Sequence, residues 1–222
     1  MDQFRKELQE LHDQLLEMGV LVESSITLSV EAVLHRKEDA IATVLRNESV
    51  INQMELRIDE IALRLLALQQ PVAVDLRFIM MVVKINNNLE RMGDIALNIA
   101  QCAVSLIETL KSAPQVDIPH MARLAQKMIQ DSLDAFLRRD VELARKVLRS
   151  DDEVDELRDR MYSEIRKYME EDSNRVHPGL EYLFIARGLE RLADHATNIA
   201  EDVLFFIQGV DVRHHSGTTA DV

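Results

Sequence analysis

Carboxylates and amides recur in this chain at a spacing that stacks them along one side of a helix. Glu90, Asp94 and Asn98 stand at i, i+4 and i+8 within NLERMGDIALNIA (residues 88–100), and Glu190, Asp194 and Asn198 repeat the pattern within GLERLADHATNIA (residues 188–200). A second acidic edge is formed by Asp151 with Asp155 and, at the aligned positions, by Glu48 with Asn52. Residues four apart on a helix point the same way. Two such pairs on adjacent helices would bring four oxygen-bearing side chains together, a hard-ligand surface site suited to Mg, Mn, Fe or Ca. Carboxylates stacked at i and i+4 weaken an isolated helix by roughly 0.2–0.5 kcal/mol, so their recurrence calls for a cation or an arginine nearby. Arg91 and Arg191 are the expected arginine partners.

The two stretches lie one hundred residues apart and agree at eight of thirteen positions. Self-similarity at a long fixed offset marks a duplicated structural unit. Leu89, Met92, Ala96, Ile99 and Ala100, with their counterparts Leu189, Leu192, Ala196, Ile199 and Ala200, form the apolar face. Met92, Gly93, Ile95 and Leu97 differ between the copies, whereas the Glu, Arg, Asp and Asn do not. The competing reading is that a helical surface carries acid only for solvation.

The elements that must position these side chains are helices. Of 222 residues, 47% are hydrophobic, only six are Gly and four are Pro, no Trp occurs, and Leu, Ala, Met, Glu and Arg abound. That is the helix-forming set. Apolar residues recur every three or four positions from Phe4 to Val33, and the first helix ends near His35, Arg36 and Lys37. A second spans about 38–68 and stops before Pro71, and a third spans about 72–111. SAPQVDIPH (112–120), with two prolines, marks the boundary between halves. Three more helices follow, at about 119–138, 140–171 and 179–208, with a break at DSNRVHPG.

EAVLHRKEDAIATVLR (31–46) aligns to DAFLRRDVELARKVLR (134–149) with six identities, so the duplication covers whole units. The expected architecture is all-α: two tandem three-helix bundles related by internal duplication. They occupy residues 1–111 and 119–208, joined by a linker at 112–118 and followed by a flexible tail at 209–222. Helices of this length favour side-by-side pairing of two chains, so a homodimer is expected.

Charge narrows the function. A net charge of −13 repels a polyanion and disfavours nucleic acid as a partner. The amino end is amphipathic helix without a signal-peptide core, which points to the cytoplasm. The longest strictly apolar run, FIMMVV (78–83), falls far short of the ~20 residues of a membrane span. Cys102, alone in the chain, reads as a packing residue. His195 follows Asp194 but has Ile95 at its equivalent, and is expected to be solvated; His214 and His215 fall in the tail. No helix carries the Glu-x-x-His pair of a di-iron bundle, and no Gly-rich phosphate loop or nucleophile elbow is present. An enzyme is poorly supported, although a metal-dependent hydrolase or phosphate-handling enzyme using the acidic surface is the alternative.

The paired LER-x-x-D-x-x-x-N-I-A motifs, together with QQPVAVDLR (69–77) and the doubled three-helix arrangement, resemble the PhoU family of phosphate-transport accessory proteins over about residues 1–208. The resemblance implies a cytoplasmic negative regulator of the phosphate-starvation response and of phosphate uptake. Such a regulator is dimeric and non-catalytic, and acts as an adaptor between a phosphate ABC transporter, with its ATPase and membrane components, and a sensor histidine kinase. It would meet the membrane only peripherally, through those partners. The resemblance also implies divalent or trivalent metal ions (Mg, Mn, Fe or Zn) on surface E/D-x-x-x-D motifs, one site per repeat. These motifs match Glu90 with Asp94 and Glu190 with Asp194, partnered by Glu48 with Asn52 and by Asp151 with Asp155. The family commonly has an acid where Asn52 stands, so the first site is expected to bind metal less tightly than the second.

Overall fold

The structure, a computed structural model, describes residues 2–109 and 113–208. The helices are α1 (Asp2–His35), α2 (Glu38–Gln69), α3 (Ala73–Thr109), α4 (Ile118–Arg138), α5 (Val141–Glu171) and α6 (Val176–Gln208). One 3-10 turn, Ser173–Arg175, precedes α6, and no strand occurs among the described residues. The expected tail from Gly209 and residue 112 of the expected linker lie outside the described residues. Residues 113–117 connect the halves without helix.

Local chemistry explains the boundaries. Arg36 and Arg139, 103 positions apart, both adopt the left-handed backbone, at φ 52° and 53°. They turn the chain out of α1 and α4 at equivalent points, and the Arg139 N–H closes the end of α4 on the Phe136 carbonyl at 3.3 Å. Asp117 caps α4 by accepting from the His120 N–H, and Asp140 caps α5 by accepting from the Leu143 N–H. Gln70, also left-handed, ends α2 before Pro71. The sequence break at 172–179 is shorter in fact: α6 begins at Val176 and takes Pro178 into its first turn, where a missing N–H costs no helical bond.

Each half is a three-helix bundle. In the first, α1, α2 and α3 pack on one another; in the second, α4, α5 and α6 do so. The duplicated motif positions its side chains alike in both: Leu89, Met92, Ala96, Ile99 and Ala100 and their counterparts are all buried, while positions 91, 94 and 98 and their counterparts are exposed. α1 is long and apolar enough by composition to cross a membrane, although it holds no unbroken apolar run of that length. Its stripe of Leu11, Leu15, Met18, Val22 and Ile26 is instead fully buried in the bundle.

The halves share one hydrophobic core. α3 and α6 run antiparallel along the seam: Lys84 meets Asp202, Asn88 meets His195, Ile99 lies against Gly188, and Ser105 meets His177 and Glu181. Because each repeat contributes its third helix, these contacts are related by an internal two-fold axis through the middle of the seam. α1 joins α4 where Gly19 admits Leu133, and the rings of Phe78 and Phe136 stack with centroids 5.7 Å apart. A Cβ on Gly188 would come within 3.0 Å of Ile99 Cγ1, so this glycine sets how closely α3 and α6 approach.

Candidate functional site

The sequence placed eight ligand candidates on four helices, and the structure brings them onto two pairs of neighbours. Glu48 and Asn52 of α2 face Glu90 and Asp94 of α3. Asp151 and Asp155 of α5 face Glu190 and Asp194 of α6. The mutual electrostatic influence of these groups shows the proximity. Glu90 is pushed above the usual carboxylate value first by burial and then by Asp94, Glu55 and Glu48, and Asp94 is raised by burial and by Glu48. In the second cluster Asp151 is raised to about 6, by burial first and then by Asp194, Asp155, Asp152 and Glu190. Asp194 is raised by burial, Glu190 and Asp155. Burial and like charge both disfavour ionisation, so each cluster is a region where a positive charge would be stabilising.

The clusters are not ready-made metal shells. Among the described residues no three His, Cys, Asp or Glu side chains converge closely enough to hold an ion as they stand. The donor chemistry nevertheless fits a hard cation, since every candidate offers oxygen. In the first cluster Asn52 donates to Glu48 Oε1 at 2.6 Å, while its own Oδ1 is buried with no hydrogen-bond donor. An orphaned carbonyl-type oxygen on a residue bonded to Glu48 is an acceptor without a partner.

Two residues that sequence reasoning missed decide the local charge. Arg158 donates through Nη1 to Asp155 at 2.6 Å and to Glu190 at 2.8 Å, and pairs with Asp159 at 3.0 Å. It, and not Arg191, is the arginine that bridges the second cluster. Arg91 and Arg191 only depress Glu90 and Asp194 from nearby, without an ion pair among the described residues. At the position aligned with Arg158, 103 residues earlier, the first half has Glu55, whose charge raises Glu90. Asn86 ties this turn of α2 to α3, donating to the Glu55 carbonyl at 3.0 Å and to Asp59 at 3.1 Å. The first cluster thus carries Glu48, Glu55, Glu90 and Asp94 with no ion pair to a cation among the described residues, and the second carries Asp151, Asp152, Asp155, Glu190 and Asp194 with Arg158 tethered to it. Formal charge is therefore the same at the two clusters, and what distinguishes them is that Arg158 already occupies part of the second. The aligned Glu55 and Arg158 were visible in the duplicated pattern, as a reversal of charge one turn below each acidic pair.

His195 is also corrected. It is buried at 7% exposure, its Nδ1 lies 2.9 Å from Asn88 Oδ1, and Asn88 donates in turn to the Lys84 carbonyl at 3.0 Å. Burial, and then Arg91 and Arg191, push its pKa down to about 4, so the ring is neutral at pH 7 and its Nδ1–H donates to the amide oxygen. Its place is the seam between the halves. The two-fold counterpart of this polar pair is Gly188 against Ile95, an apolar contact, which is why the equivalent of His195 is isoleucine. Cys102 is partly buried, and burial with Glu181 raises its thiol to about 12, in keeping with a packing role.

The chain matches the PhoU domain twice, over residues 15–103 and 118–203. It is 40% identical over 213 residues to a protein of Pseudomonas aeruginosa described as a phosphate-specific transport system accessory protein PhoU homolog, covering 96% of this chain and 88% of that one. The phosphate-specific transport system accessory proteins PhoU of Serratia marcescens and Escherichia coli are 37% and 33% identical over 216 and 219 residues. Those matches cover 97% and 99% of this chain and 88% and 91% of theirs. The crystal structure of PhoU from Pseudomonas aeruginosa superposes with a TM-score of 0.89 at 38% identity, covering 93% of this chain and all of the other. That of the phosphate transport system regulatory protein PhoU from Streptococcus pneumoniae gives 0.85 at 30%, covering 94% and 99%. On the doubled domain, the near-complete coverage and the matching fold, the chain belongs to the PhoU family.

Proposed function

We propose that this protein is a non-catalytic accessory protein of phosphate transport. In this reading it is a cytoplasmic negative regulator of the phosphate-starvation response, linking a phosphate ABC transporter to a sensor histidine kinase and acting as a homodimer. The observation that carries the reading is correspondence along the whole length: relatives described as accessory proteins of the phosphate-specific transport system align over 96% or more of the chain. An adaptor needs exposed surface more than a cleft. α3 alone has 37 residues, about 55 Å at 1.5 Å per residue, and its outer side is available for a partner helix or domain. Docking that favours one state of the kinase shifts its population by the difference in affinity for the two states.

The carboxylate clusters serve this role as cation sites. Glu48, Asn52, Glu90 and Asp94, with Glu55, would hold one divalent or trivalent ion, and Asp151, Asp155, Glu190 and Asp194 another. A bound ion supplies positive charge that relieves the repulsion described above and so fixes the outer sides of α2 with α3 and of α5 with α6. Capture of tagged protein from phosphate-replete and phosphate-starved cells, with mass spectrometry of what co-purifies, tests the adaptor reading. Transporter ATPase and a sensor kinase are expected, in amounts that change with phosphate; recovery of neither under both conditions would refute it.

A further inference from the structure

The two ends of the α3–α6 seam each hold a groove, and the internal two-fold relates them. One, of about 580 Å³, has Asn98, Gln101 and Ser105 of α3 on one side and Phe184, Arg187 and Arg191 of α6 on the other. Its counterpart, of about 440 Å³, has Lys84 and Asn87 where the first has Phe184 and Arg187. In the counterpart, Arg91 stands where the first groove has Arg191, but Lys84 is clamped to Asp202 at 2.6 Å and Glu201 adds a second acid to the lining. In the first groove neither Arg187 nor Arg191 makes an ion pair among the described residues, although the chain has 39 acids to 26 lysines and arginines. The fold does not require this, since its own duplicate dispenses with Arg187. An acid that could have neutralised these arginines, Glu181, is engaged instead by the Ser105 hydroxyl at 3.0 Å.

The groove has a chemical polarity. Phe184, Arg187 and Arg191 fall at i, i+3 and i+7 on one side of α6 and span about 10 Å along its axis. Phe184 is 58% exposed and lines the groove, presenting an aromatic ring to it. Between the ring and Arg191, Gly188 rests on Ile99, which keeps the floor low and firm. A ligand matching this order has a planar ring at one end and concentrated negative charge at the other. Aromatic faces stack on planar rings, guanidinium groups bind phosphate oxygens in bidentate fashion, and the Asn98 and Gln101 amides can serve polar edges. The volume lies within the roughly 300–1,000 Å³ of small-molecule sites. We propose that this groove binds a nucleotide, with its base against Phe184 and its phosphates on Arg187 and Arg191. Inorganic phosphate would leave Phe184 without a purpose, and an acidic protein segment would call for a longer charged track than two arginines provide.

The test is titration of the full-length protein with ATP, ADP, adenosine and tripolyphosphate by calorimetry. EDTA is present so that no divalent ion can bridge phosphates to the carboxylate clusters. ATP and ADP should bind saturably at one site per chain, with adenosine and tripolyphosphate each weaker by about tenfold. The double variant Arg187→Gln/Arg191→Gln should lose about tenfold or more for ADP, and Phe184→Ala should lose several-fold for ADP but nothing for tripolyphosphate. Lys84→Gln, in the counterpart groove, should leave ADP binding unchanged. All four side chains are at the surface, and thermal unfolding of each variant checks that the fold is intact. Absence of saturable nucleotide binding up to millimolar concentration overturns the proposal. So does tripolyphosphate binding as well as ATP with Phe184→Ala indifferent, which describes a general polyanion surface. Tighter binding of a poly-glutamate peptide than of any nucleotide also overturns it, and assigns the groove to a protein partner.

Discussion

Replacing Asp151 with asparagine isolates the electrostatic cost stored in the second cluster. Asp151 is lifted from 3.8 to about 6 by burial and by four surrounding carboxylates. An acid whose pKa is raised on folding holds its proton longer in the folded state. Its penalty is therefore absent below pH 3.8, grows as pH rises through the window from 3.8 to about 6, and is complete above it. At about 1.4 kcal/mol per pKa unit the full penalty is about 3 kcal/mol. The side chain is partly open to water, and screening reduces the expected effect to about 1–2 kcal/mol. Asp151→Asn keeps the shape and removes the charge, so at pH 8 in EDTA the variant should be more stable than the parent by that amount, about 2–6 °C in Tm. At pH 3.8 the two should converge. Urea unfolding at both pH values measures the difference, in which titrating groups outside the cluster cancel. Adding Mn²⁺ or Mg²⁺ at pH 8 should then stabilise the parent more than the variant, because the ion relieves the same repulsion. A variant less stable than the parent at pH 8, or an advantage independent of pH, would refute the reasoning.

Three further outcomes follow from the same geometry. Arg158→Ala removes the bridge between Asp155 and Glu190; at pH 8 it should lower stability by about 1–2 kcal/mol in chelator and tighten cation binding at the second cluster, read by Mn²⁺ titration. His195, held neutral with its pKa near 4 against 6.5 when unfolded, contributes stability that is complete above pH 6.5 and lost as pH falls toward 4, about 3 kcal/mol in all. His195→Gln should abolish that acid sensitivity, seen as a flatter profile of unfolding free energy between pH 6.5 and 4. Gly188→Val must push Ile99 aside and separate α3 from α6, which should cost about 1–3 kcal/mol in urea unfolding, whereas the same change at exposed Gln101 should cost under about 1 kcal/mol.

The sequence by itself determined a good deal. Because an amphipathic helix must bury one stripe, the spacing of Leu89, Met92, Ala96 and Ile99 named the core side and left Glu90, Asp94 and Asn98 on the other. Because duplication preserves structure, the second copy followed from the first, down to equivalent helix ends at Arg36 and Arg139. Helix boundaries fell within a few residues, since proline and the acidic caps act locally. What periodicity cannot carry is which helix of one repeat meets which helix of the other. Only the tertiary structure decided that α3 lies antiparallel on α6, and that choice buried His195 against Asn88, made one core of two, and opened the grooves at either end of the seam. It also decided that Arg158 on α5 reaches across to Glu190 of α6 and that Glu55 on α2 comes near Glu90 of α3. Charge acts through space and burial sets its strength, and neither distance across a helix pair nor exclusion of water is written in the spacing of residues along one chain.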